Sequence, residues 1–211
     1  IANFEWSFEN TSDNKVEGSM AFNFGNPFVD YLAAGEEIAG RVESVLTGDY
    51  RGVKFILEEP FPAEFMVITE SEDANISNRW LRGRWWDNAE LFWREFSEKG
   101  SLEPHTGSYD FKGQGLPDVS TLSIPFSLDP DQKNNISFRV FWRIPHRKAE
   151  RSMSLGTEME TGKEYRNFYT AGYNDVEEIA QKYYINKEML EQKTADFNQL
   201  LYNSSFPPYV I

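Results

Sequence analysis

A chain of 211 residues with 40% hydrophobic and 16% aromatic residues can bury a sizeable core, so wholesale disorder is excluded and one large domain is the starting expectation. Its formal charge of -13 comes without a basic cluster dense enough to follow a phosphate backbone, which argues against nucleic acid and anionic membrane as partners. Cysteine is absent and imidazole is limited to His105 and His146, so a thiol nucleophile, a disulfide framework and a Cys/His zinc site are excluded.

The first residues, NFEWSFEN, alternate strictly, with Phe4, Trp6 and Phe8 on one face and Asn3, Glu5, Ser7 and Glu9 on the other. TSDNKVEG is turn chemistry leading to a second alternating set, Met20, Phe22 and Phe24. Residues 3 to 24 therefore read as a hairpin whose two aromatic faces share one core. Weaker strands are expected around Ile38 to Leu46, Val53 to Leu57 and Phe65 to Thr69, separated by Gly48, Gly52, Pro60 and Pro62 at sandwich spacing. No apolar run reaches about 18 residues and no signal-peptide pattern opens the chain, so neither a transmembrane helix nor a leader is expected.

The stretch RGRWWDNAELFWREFSEKGSLE is dense in aromatics, and a helix over about 87-99 accounts for most of it. Asp87 is the expected cap with Glu90 at the third position; Ala89, Phe92, Trp93 and Phe96 form the core stripe, Glu90 and Arg94 pair at i,i+4, and Gly100 is the stop. Trp85 and Trp86 precede the cap between arginines, where periodicity does not place them. A tryptophan face can stack on a sugar ring, so Trp80, Trp85 and Trp86 are candidate carbohydrate contacts, weighed against packing of the helix entry on a sheet.

Tyr109/Phe111 and Val119 to Ile124 suggest further strands, and in ISFRVFWRI the side chains of Ile136, Phe138, Val140, Trp142 and Ile144 point one way. LDPDQKNN before it is a turn, with TLSIPFSL as the expected pairing partner. From residue 174 the period changes to 3.6: Val176, Ile179, Ala180 and Tyr183 open an apolar stripe that Leu190, Phe197, Leu200 and Leu201 continue. Asp175 caps this helix with Glu178 three residues on, and INK at 185 to 187 is the expected break in a rod of about 40 Å. Pro207 and Pro208 cannot continue it. Both chain ends look cut, as if this were a piece of a longer protein. His146, among cations in RIPHRK, reads as a surface residue, and the N-x-S sequons at Asn10, Asn75, Asn135 and Asn203 matter only in a glycosylating pathway.

Four ordered segments carry a resemblance. RWWDNAELFWREFSEKGSL is similar to the W-W-D and F-W-x-x-F segment of the amino-terminal domain of glycoside hydrolase family 116, the β-glucosidases related to non-lysosomal glucosylceramidase. LDPDQKNNISFRVFWRIPHR resembles the family's turn, strand and W-x-x-P-x-R (Trp142, Pro145, Arg147); RNFYT at 166 to 170 and LLYNSSFPPYVI follow in the same order. Ser205, Phe206 and His146 stand where the family pattern has Thr, Leu and Asn. The family's Gly-rich opening segment is missing, which puts the expected start inside the domain.

The expected fold is mainly β: an antiparallel β-sandwich over 1-173, its start truncated, with one short packed helix (about 87-99) and a long C-terminal linker helix (about 175-202) within 174-211. The resemblance implies that this linker leads towards an absent (α/α)6 catalytic domain of the same protein, which carries retaining chemistry on two carboxylates about 5 to 5.5 Å apart. No residue matches the catalytic motifs, so no catalytic, cofactor-binding or metal residue is assigned, no cofactor is expected, and the chain alone is not expected to be an enzyme. The expected partners are the toroid and, as a candidate, carbohydrate. The alternatives are a carbohydrate-binding module or a stand-alone structural or interaction protein.

Overall fold

The computed structural model describes residues 1–28, 38–59, 61–82, 88–112, 118–148, 164–205 and 207. In chain order its elements are β1 (Ala2–Glu9), β2 (Val16–Gly25), β3 (Ala39–Leu46), β4 (Arg51–Glu59), β5 (Ala63–Thr69), β6 (Asn75–Arg82), α1 (Asn88–Lys99), β7 (Ser108–Lys112), β8 (Asp118–Leu128), β9 (Lys133–Arg143), β10 (His146–Lys148), β11 (Glu164–Arg166), a 3-10 turn over Phe168–Gly172, and α2 (Val176–Tyr202). A six-stranded antiparallel sheet in the order β1-β9-β5-β4-β3-β7 faces a three-stranded sheet, β2-β8-β6, and β10 and β11 form a small separate ribbon. This is a β-sandwich.

The aromatic faces of β1 and β2 do meet, but as an arch and not as a hairpin. β1 pairs with β9, from Ala2↔Val140 to Glu9↔Lys133, while β2 pairs with β8 in the opposite sheet. Phe22 then stacks on Phe138 across the sandwich, with ring centroids 4.9 Å apart, and Trp6 meets both. TLSIPFSL likewise does not pair with ISFRVFWRI: β8 and β9 lie in different sheets, and LDPDQKNN crosses between them. Alternation dictates which face of a strand is buried, and an arch satisfies that pattern as well as a hairpin does. The two crossings are clipped together by Asn10, whose side-chain amide donates to the Leu128 and Asn14 carbonyls. Its backbone exchanges hydrogen bonds with Asp131 and Gln132, and Asp131 takes the left-handed conformation, φ 60°, that lets the turn close.

Phe55, Val42, Val53 and Val67 from the large sheet pack against Leu122, Ile124 and Ile76 from the small one to form the main core. Strand β9 sends Ile136, Phe138, Val140 and Trp142 into it, as its alternation predicts; Ile144 lies beyond the strand and is exposed. The opposite face of the large sheet is also buried, because α2 lays Val176, Ile179, Ala180 and Tyr183 over Met66, Ile68 and Phe141. Two-sided burial explains why β4 and β5 read as weak, nearly continuous apolar runs.

Strand β6 escaped the sequence pattern because it hides polar residues. Ser77 and Asn78 are buried, and the pairing with β8 shifts register between Ser77 and Leu81. Asn78 satisfies the irregularity: its amide donates to Ser44 Oγ and the Gly107 carbonyl, and its own carbonyl accepts from Ser120 and Tyr109. Ribbon β10–β11 also lacked a readable pattern, at three residues a strand.

Helix α1 ends as expected at Gly100, with φ 67° and an amide that donates to the Phe96 carbonyl. Its buried stripe is narrower than predicted. Phe92 is buried against Trp80, but Trp93 is 59% exposed and Ala89 is exposed. The i,i+4 ion pair among the described residues of α1 is Lys99–Glu95, not the expected Glu90–Arg94. The expected cap, Asp87, lies outside the described residues.

Candidate functional site

Helix α2 is bound to the sandwich at its first three turns. Asp175 caps it, accepting from the Glu178 amide at 2.8 Å, and the Glu178 carboxylate reaches back to the backbone and side-chain nitrogens of Asn174, one residue before the cap. Those bonds from Asn174 hold the Glu178 carboxyl below the ordinary range. Lys54, pointing outward from β4 with 9% of its side chain exposed, meets Glu64 of β5 at 3.0 Å and Glu177 of α2 at 2.7 Å. Glu64 also accepts the Val176 amide with its other oxygen at 2.8 Å, in the first turn of the helix. Burial disfavours the Lys54 ammonium, but hydrogen bonds to Glu177 and Glu64 outweigh it and raise the pKa above the ordinary lysine value.

Two turns further on, the Tyr183 hydroxyl accepts from Asn3 Nδ2 at 2.8 Å and from Arg139 Nε at 3.4 Å, and donates to Glu191 at 3.0 Å. Arg139 in turn pairs with Glu70 at 3.1 Å, which also meets Lys187. The carboxylates brought together here are thus held by cations and by the helix terminus, where they fix α2.

Past Lys187, which still reaches Glu70, the helix runs on from the sandwich without breaking. INK at 185 to 187 is helical, with no Pro or Gly to stop it, and the expected interruption does not occur. Residues 191 to 200 are all exposed. Among them and around them Ile185, Phe197, Leu200 and Tyr202 are 81%, 63%, 73% and 72% exposed. Leu190, Phe197 and Leu201 continue the helix face that carries Ile179 and Tyr183, so the apolar stripe of the docked half runs on into solvent.

Two of the quoted segments meet in space. Pro145 is buried, and its carbonyl accepts the Asn167 amide at 2.8 Å. Asn167 Nδ2 donates to the Ile144 carbonyl at 2.7 Å, the Ile144 amide donates to Tyr169 Oη at 2.9 Å, and His146 pairs with Arg166 in the ribbon. Neighbouring Phe168 is 93% exposed.

Among the described residues the histidines form no catalytic constellation. The backbone of His105 bridges β6, while its ring Nδ1 meets the Glu103 carbonyl; the His146 ring stacks on Phe61 at 5.7 Å and is half-buried, not a fully solvated surface residue. Among the described residues no group of three or more His, Asp or Glu side chains could hold a metal ion, and no helix is long and apolar enough to cross a membrane.

Of the candidate carbohydrate contacts, Trp80 is half-buried against Phe92 with its indole N–H buried and without a hydrogen-bond partner among the described residues, and Trp85 and Trp86 lie outside the described residues. The exposed ring is Trp93, which the helical periodicity had assigned to the core. It stands over a groove of about 810 Å³ between the C-terminal end of α1 and the outward-facing residues of the small sheet, among them Ser19, Asn75 and Ser123. Two buried hydroxyls beneath this groove, Ser19 Oγ and Ser123 Oγ, have no hydrogen-bond partner among the described residues, a signal that no sequence pattern carries.

The family described as beta-glucosidase 2, glycosyl-hydrolase family 116 N-term, matches residues 1–190. Among curated proteins no relative matches.

Proposed function

Because the chain belongs to the glycosyl-hydrolase family 116 N-terminal family, we propose that it is the non-catalytic β-sandwich of a β-glucosidase-type hydrolase, and that it braces an (α/α)6 catalytic domain of the same protein. The observation that carries this reading is the projecting half of α2. A helix that keeps its apolar stripe for several turns after leaving its own sheet exposes surface that a second packed body would cover. The docked half fixes the direction in which that stripe is presented, through Lys54, Glu64 and the Tyr183 hydroxyl. In this reading the nucleophile and the acid/base both belong to the toroid, and the ion-paired carboxylates of the sandwich serve its architecture.

The test is to produce this chain and the catalytic domain as separate polypeptides and measure their association by sedimentation. Wild-type chain is expected to form a one-to-one complex, and the triple variant Leu190→Asp, Phe197→Asp, Leu201→Asp to lose it while unfolding at the wild-type denaturant concentration. Absence of the complex, or a complex indifferent to the three aspartates, would refute the brace. Hydrolysis of a chromogenic β-glucoside by the chain alone would refute its non-catalytic character.

A further inference from the structure

The groove beside Trp93 lies on the outer side of the small sheet, whereas α2 covers the outer side of the large one, so it is separate from the bracing surface. Its wall is an aromatic ring with a fixed attitude. Phe92 and Phe96 hold the Trp93 indole edge-on, at 5.3 Å and 75° and at 6.1 Å and 71°, while 59% of the residue stays in solvent. Phe92 is itself buried, so the platform is anchored to the domain.

The floor is polar and incompletely satisfied. Ser123 of β8 is 1% exposed, yet its hydroxyl has no hydrogen-bond partner among the described protein atoms, and Ser19 of β2 repeats the pattern at the foot of Gly100. Asn75 sits opposite Ser123 in the strand register, and the exposed Asp73 stands at the mouth.

We propose that this groove binds a neutral saccharide, with one sugar ring stacked on Trp93 and its hydroxyls hydrogen-bonded to Asn75 and Asp73 above the buried floor serines. A sugar hydroxyl both donates and accepts, and the lining offers both: carboxylate acceptors at Glu17, Asp73 and Glu98, amide and hydroxyl groups beneath, and an ammonium at Lys99. An anion would face the carboxylates and a chain of charge -13, with Lys99 already turned to Glu95 at 3.4 Å. A cation could use the indole and the acids but would leave the donors of the Asn75 amide without acceptors. The volume, about 810 Å³, falls inside the range of roughly 300–1,000 Å³ typical of small-molecule sites.

The test is calorimetric titration of the full chain with cellobiose, cellotetraose, xylotetraose and mannotetraose, with spermine as the cationic comparison, while tryptophan fluorescence is followed in parallel. At least one of the four sugars is expected to bind with millimolar or tighter affinity and to change the indole emission. Trp93→Ala should weaken that binding about tenfold or more, and Asp73→Lys about threefold or more. Both side chains are exposed, so both variants should unfold as wild type does. Failure of all four sugars to bind, binding that survives both substitutions, or spermine binding tighter than every sugar would overturn the proposal. None of these outcomes depends on the catalytic partner, so the brace stands or falls separately.

Discussion

Lys54 and Glu177 are 123 residues apart in sequence, and their charged atoms meet at 2.7 Å on the outer face of the large sheet. With Glu64 on the other side, the pair joins strand β4, strand β5 and the first turn of α2 into one ionic cluster.

Removing the cation leaves Glu64, with 14% of its side chain exposed, without a counter-charge. Lys54→Met is therefore expected to cost about 3 kcal/mol, near the lower end for breaking a buried pair. Glu177→Gln, at a position one-third exposed, should cost about 1 kcal/mol or less. Urea unfolding at neutral pH measures both. Because the folded-state pKa of Lys54 is raised, its contribution is complete below the ordinary lysine value and is lost as the pH climbs through the folded one. The stability gap between wild type and Lys54→Met should hold from pH 7 to about 10 and narrow above it.

At the acid end the sign reverses. Glu178 has a depressed pKa from its bonds to Asn174, so its contribution is present above the ordinary carboxyl value and vanishes as the pH falls through the folded one. Protection of the amides at the start of α2, taken relative to their intrinsic exchange rates at each pH, should fall in wild type as the pH drops below about 4, whereas Glu178→Gln should show the lower protection already at pH 6 and little further change in it. Parallel pH profiles for the two proteins would contradict this.

Tyr183 is 3% exposed, and its hydroxyl ties β1, β9 and the projecting half of α2 together. Tyr183→Phe keeps the ring and deletes these bonds, at an expected cost of about 1–2 kcal/mol. Hydrogen exchange should localise the loss to the helix around Glu191, with protection at Ile179 retained.

Phe92 and Trp93 are neighbours with opposite roles. Phe92→Ala should destabilise by about 3–5 kcal/mol, the range for deleting a buried aromatic, and Trp93→Ala by under about 1 kcal/mol. Equal losses would return Trp93 to the core.

What was legible follows from the range of each signal. The caps and face of α2 are local: Asp175 and Glu178 three residues on, and a 3.6-residue stripe, need no knowledge of the rest of the chain. The alternation of β1, β2 and β9 is local too, and it located their buried faces. Pairing is not local. Phe22 behaves as a core residue whether Phe4 and Trp6 are beside it in a sheet or across from it in the other, and only the structure distinguishes the two. In α1 the apolar arc is wider than the strip that the sheet and Trp80 cover, so Phe92 is taken in and Trp93 left out. The groove needs Ser19, Asn75, Ser123 and Trp93 together, drawn from three strands and a helix, and no spacing along the chain encodes that meeting.

The pairing of β1 with β9 also sets a timetable for synthesis. Ala2 lies opposite Val140, so the large sheet cannot close until the chain has grown from Ala2 to Val140, roughly 7–30 s later at about 5–20 residues per second. During that interval Phe4, Trp6 and Phe8 emerge as a sticky aromatic strand whose ladder partner does not yet exist.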